Sequence, residues 1–200
     1  MDRREFIKSL SVFVAILPQK IPTKKDGVRM SASTETSAPG VPGSFGDDVR
    51  FVDSFSPLIV LSRQHGEAMV AVSPAMQGRV LTSSANGWNG RSFGWVNREL
   101  IASRKLQQHI NPFGGEDRVW IGPEGGQFSI FFAPHQPFEL DHWFTPAALD
   151  TESFEVIDQA QTSVKFRKAF NLMNYSGTKF NVLVDREVRL LSDEEILNHR

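Results

Sequence analysis

The sequence predicts a mostly β protein, an antiparallel β-sandwich with one or two short helices. Val164, Phe166, Phe170 and Leu172 share one parity, against Lys165, Arg167 and Asn171 on the other. Phe180, Val182, Val184, Val188 and Leu190 then alternate with Asn181, Asp185, Glu187 and Arg189. The turn residues Tyr175-Ser176-Gly177 separate the two runs. Such alternation marks a long antiparallel strand pair with one buried face. A clear helical spacing occurs over only one stretch, and long strands in a helix-poor chain imply two packed antiparallel layers.

From the start of the chain, Asp2-Arg3-Arg4-Glu5-Phe6-Ile7-Lys8 precedes an apolar run, Leu10 to Leu17, and then Pro18. This order resembles a twin-arginine export signal. The apolar run, about eight residues, is far short of the ~20 that a membrane-spanning helix needs. Residues 1–30 are therefore expected to be an export signal read by the twin-arginine machinery, giving a periplasmic or secreted bacterial protein with no stable membrane insertion. Residues 31–45 are Ser, Thr, Gly and Pro with little to bury, and are expected to be a flexible linker. A single domain is expected over residues 46–200.

Within that domain, Asp47 or Asp48 is expected to cap a short helix carrying Val49, Val52 and Phe55, which Pro57 ends. Leu58 to Leu61, Ala68 to Val72 and Arg79 to Leu81 read as strands separated by turns at Gly66 and Gly78. Phe93 to Val96 reads as another. The clear helix runs from Arg98 to Gln108 with Asn97 as its cap. Val119 to Ile121 and Phe128 to Phe132 are expected strands. The loop from Ala133 to Thr151, rich in Pro, His and Trp, is long enough to suggest a function. Asp193 to Leu197 opens a last short helix.

Composition excludes several classes. With 22 Lys+Arg against 23 Asp+Glu there is no basic excess, so no nucleic acid is expected as a partner. No cysteine is present, which excludes disulfides, thiolate metal sites and a cysteine nucleophile. His65, His109, His135 and His142 lack ligand spacing, so neither metal nor cofactor is expected.

The candidate site lies in Asn111 to His142. It holds the glycine pairs Gly114-Gly115 and Gly125-Gly126 beside Glu116, Asp117 and Glu124. Glycine lets backbone pass close to a ligand. Carboxylates accept sugar hydroxyl protons and aromatic faces cover C–H patches, so Trp95, Asp117, Arg118, Trp120 and Glu124 are substrate-binding candidates. His142 and Glu116 are catalytic ones, as general acid and base. Asp141 is placed to orient His142. An ordinary turn with solvated charges explains each residue singly, and Glu116 with Glu124 would also suit a glycosidase pair.

The motifs PAMQGRV, FGWVNRELI, HINPFGGEDRVWIGPEGGQFSIFF and NYSGTKF resemble an uncharacterised group of exported bacterial proteins. That group is placed in the galactose mutarotase-like (aldose epimerase-like) superfamily. The resemblance spans about Phe45 to Leu191 and implies a supersandwich that binds carbohydrate, with epimerase-like chemistry as its ancestry. It implies that Arg79 lines the sugar site and that His109 contacts the ring. The superfamily's base comes from a late strand, and a full domain is longer than the stretch of this chain after Phe45. The expectation is thus an N-terminal portion of an incomplete sandwich. The alternatives are an inactive fragment, self-associating through unpaired strand edges, or a non-catalytic interaction module.

Overall fold

The computed structural model describes residues 10–14 and 41–198. The remainder of the expected export signal and the linker up to residue 40 lie outside the described residues. Helix α1, Phe45–Asp53, starts at Ser44, whose side chain accepts from Asp47 N–H at 3.2 Å. Ser44, rather than Asp47 or Asp48, is therefore the cap. The two aspartates occupy the first turn, where the helix dipole favours negative charge, and both pair with Arg98 at 2.6 Å.

Strands β2 (Ile59–Arg63), β3 (Ala68–Ser73) and β4 (Arg79–Ser84) form an antiparallel sheet in that order. Every residue of β3 and β4 is buried. Phe45 and Val49 of α1 cover Met69 and Ala71, while Val70, Val72 and Val80 face the main core. Helix α2, Arg98–Ser103, carries the expected cap, Asn97, which accepts from Leu100 N–H at 3.1 Å. It is shorter than the spacing predicts because Arg104 turns left-handed at φ 54° and ends it.

After the short helix α3, Ala147–Asp150, comes a second sheet of β5 (Glu155–Gln159), β6 (Ser163–Met173) and β7 (Lys179–Leu190). Its three strands are antiparallel, with β6 in the middle, and β1 (Leu10–Val14) runs parallel to β7 along Arg186–Leu190. Both sheets feed one core: Leu61, Val70, Val72 and Val80 from the first, and Val164, Phe166, Val184 and Val188 from the second. The chain is mostly β with a few short helices, and α4, Asp193–Asn198, falls where the acidic run places it. No helix among the described residues is long and apolar enough to cross a membrane.

Three expected strands are absent. Phe93–Val96 and Phe128–Phe132 form only isolated bridges, Val96 with Gly114 and Phe132 with Trp143, and Val119–Ile121 forms neither strand nor bridge. Val119, Ile130, Phe131 and Phe132 are nonetheless buried in the main core. Short apolar runs signal burial, and burial does not require a ladder. Conversely β5 escapes the pattern because all five of its residues are exposed. The loop 133–151 is tied down: Phe138 meets Phe132 edge-on at 5.0 Å, and Trp143 stacks on Phe131 at 5.6 Å.

Candidate functional site

Among the described residues no strand lies beyond β4, and the irregular segments around 93–97 and 111–117 dress its edge. Glu116 N–H donates to Val80 O at 2.9 Å, and Val80 N–H donates to Asp117 Oδ1 at 2.8 Å. Farther along, Phe93 N–H donates to Ser83 O at 3.1 Å. Ser83 Oγ donates to Glu116 Oε2 at 3.0 Å, leaving Glu116 exposed beside that edge.

The first glycine pair makes this close approach feasible. Gly114 and Gly115 have φ of 104° and 114°, values side-chain-bearing residues rarely adopt. A methyl on Gly114 would sit 2.1 Å from Trp95 O, and one on Gly115 would sit 2.6 Å from Arg79 Cδ. Gly115 N–H donates to Trp95 O at 2.8 Å, and Arg79 Nη1 donates to Gly114 O at 2.7 Å. The backbone pair is thus clamped between the buried Arg79 and the main chain of Trp95, whose residue is 60% exposed.

Beneath lies a charged cluster that the sequence pattern hid in part. Arg186 shares its parity with Val184 and Val188, so the alternation of β7 turns it inward, where it is 1% exposed. It donates to Gly78 O at 2.8 Å and pairs with Asp117 Oδ2. Arg118 donates to Leu149 O at 3.0 Å and to Asp150 Oδ1 at 2.7 Å. Asp150 in turn accepts from the backbone and side chain of Asn111. Burial, then the neighbouring Arg118, draws the Arg79 guanidinium down to about 10.

Residues 43–199 match a family of unknown function, DUF6786. The chain belongs to DUF6786. No curated protein and no solved structure matches it.

In this DUF6786 chain Trp120, Glu124 and His109 form a second, connected group. Trp120 stacks on Phe131 at 4.9 Å and carries the Arg118 guanidinium 4.8 Å from its ring centre. Its indole N–H donates to the exposed Glu124 at 2.8 Å, so Glu124 serves Trp120. Phe131 continues the stack to Trp143, whose carbonyl lies 2.6 Å from His109 Nδ1. A carbonyl only accepts, so Nδ1 carries the proton and the neutral ring offers a lone pair at Nε2. His109 in that state is a base, and acts as an acid only as imidazolium. His142 closes a 3-10 turn, Leu140–His142, with its N–H on Glu139 O at 3.0 Å. Separately, a recess of about 310 Å³ lies along α2, lined in part by Asn97, Leu100, Ser103 and Gln107, and includes none of the sequence-predicted site residues.

Of the predicted residues, Arg79, Trp95, Glu116 and Asp117 meet at the β4 edge, with Arg118 behind them. The residue missed is Arg186. Its signal was available, because a lone arginine on the apolar parity of a long strand must be buried and paired.

Proposed function

We propose that this DUF6786 chain is an exported carbohydrate-binding protein of galactose mutarotase-like type, its two sheets belonging to a supersandwich. One observation carries the reading: Gly114-Gly115, held by Arg79, runs between an exposed indole, Trp95, and an exposed carboxylate, Glu116. An aromatic face for C–H groups beside a fixed hydroxyl acceptor is the combination a sugar ring needs. Trp120 is engaged by Phe131 and Arg118, so Trp95 is the indole that supports this reading best. Epimerase-like chemistry on the bound ring would use the exposed Glu116 as base.

Titration of the full chain with hexoses and uronates, read by tryptophan fluorescence, tests the proposal. A saturable change that Trp95→Phe and Glu116→Gln each abolish is expected. No response to any saccharide would contradict it. A second reading, an interaction module that self-associates, is favoured by β5, whose Val156 and Ile157 are exposed on an edge strand. Concentration-dependent dimerisation in light scattering, removed by Ile157→Lys, would support that reading.

A further inference from the structure

The cluster beneath the β4 edge is unbalanced in charge. Arg118 and Arg186 act on Arg79 there, with Asp117 and Asp150 as the counter-charges acting on it. One guanidinium is in excess. Each arginine also keeps a buried N–H that meets no acceptor among the described residues: Arg79 Nε, Arg118 Nε and Arg186 Nη1. Arg79 and Arg186 are 3% and 1% exposed. A buried polar group without a partner is costly, and a buried charge more so, which makes an incoming anion the natural complement. The least buried members of the cluster are Arg118 and Asp117, whose side chains are 19% and 20% exposed.

We propose that the ligand taken here is an acidic saccharide, a uronate or another sugar carboxylate, whose carboxylate is held by Arg118 with the positive field of Arg79 and Arg186 behind it. The inference rests on the carbohydrate-binding reading and adds the ligand's charge to it. Guanidinium N–H groups fit carboxylate oxygens in position and direction, and a hydrogen bond between charged partners is stronger than one to a neutral hydroxyl. The exposed Glu116 lies on Ser83 at the β4 edge, so it disfavours an anion placed near Ser83. The carboxylate of the ligand is therefore directed to Arg118, and its ring hydroxyls to Glu116.

The test compares glucuronate and galacturonate with their methyl esters, the parent hexoses and acetate, each titrated into the full chain. Uronates are expected to bind about tenfold more tightly than the esters or hexoses, with the ratio shrinking as salt rises. Arg118→Gln is expected to bring the ratio close to one. Asp117→Asn keeps an acceptor for Val80 N–H while removing a negative charge, and is expected to widen the ratio. A purely structural aspartate would not widen it, so this arm decides the matter if Arg118→Gln fails to fold. Equal affinity for acid, ester and hexose would overturn this inference and leave carbohydrate binding standing. Acetate binding as tightly as uronate would overturn it in favour of a simple anion site, and binding of no saccharide would remove both readings.

Discussion

The β6–β7 hairpin and the segment from Phe93 to Phe144 hold their backbones in opposite ways. The hairpin pairs in unbroken register from Ser163–Arg189 to Met173–Lys179. Each residue there contributes a little, and the pattern survives the loss of one. The segment has almost no ladder. Its main chain is held by particular groups, Arg79 on Gly114, Asp117 on Val80, Ser129 Oγ on Phe131 N–H and Asp150 on Asn111. Regular pairing spreads stability over many bonds, whereas side-chain ties concentrate it, so single substitutions in the two regions should differ sharply.

The largest effect is expected from Asp117→Ala. It frees Val80 N–H and leaves Arg186 buried beside an empty place, a change worth about 3–5 kcal/mol for a broken buried pair. Urea unfolding measures it, and a loss below about 1 kcal/mol would show that the cluster is better solvated than its burial implies.

The glycines sharpen the contrast. Gly114→Ala drives a methyl to 2.1 Å from Trp95 O and forces an unfavourable φ, so destabilisation of about 1–3 kcal/mol is expected together with loss of the sugar response. Gly177→Ala in the hairpin turn also has positive φ, 81°, but nothing lies within 4 Å of the new methyl. About 1 kcal/mol and unchanged binding are expected there. Equal effects at the two sites would erase the distinction.

Smaller effects are expected at exposed charges. Glu195 closes a capping box with Ser192, accepting from its N–H at 2.7 Å, and Arg189 adds a second bond. Bonding to the Ser192 backbone first, then to Arg189, draws its carboxyl from 4.5 down to about 2. Because the folded value is depressed, this contribution is complete above pH 4.5 and is lost as pH falls towards 2. Protection factors against hydrogen exchange in α4 should fall across that window before those of the sheets do. The smallest effect is expected at Asp185, whose exposed pair with Arg167 holds its carboxyl below the usual range. Asp185→Asn should leave the melting temperature unchanged within error.

The same contrast explains what was legible in the sequence. Strands β6 and β7, the turn between them and the cap Asn97 follow from period and residue type alone. The first sheet was legible as well, from compact apolar runs between turn signals. Phe93–Val96, Val119–Ile121 and Phe128–Phe132 look alike in sequence, yet their polar backbone groups find side-chain or isolated partners instead of strands. Those partners lie far along the chain, as with Arg186 and Asp117, and no local window contains both. The sequence pointed to Arg79 and the first glycine pair as neighbours in one site. Arg186 stands on the apolar parity of β7 and was legible as buried, but nothing near it in the sequence names Asp117 as its partner.

The central claim is that a sugar ring rests on the surface formed by Trp95, Gly114-Gly115 and Glu116. Chemical-shift mapping during titration of the isotope-labelled full chain with galacturonate tests it most directly. The account predicts concerted, saturable shifts of the Trp95 indole and of the Gly114 and Gly115 amides, with the α2 recess unaffected. Shifts confined to that recess, or to the turn around Glu124, would contradict it.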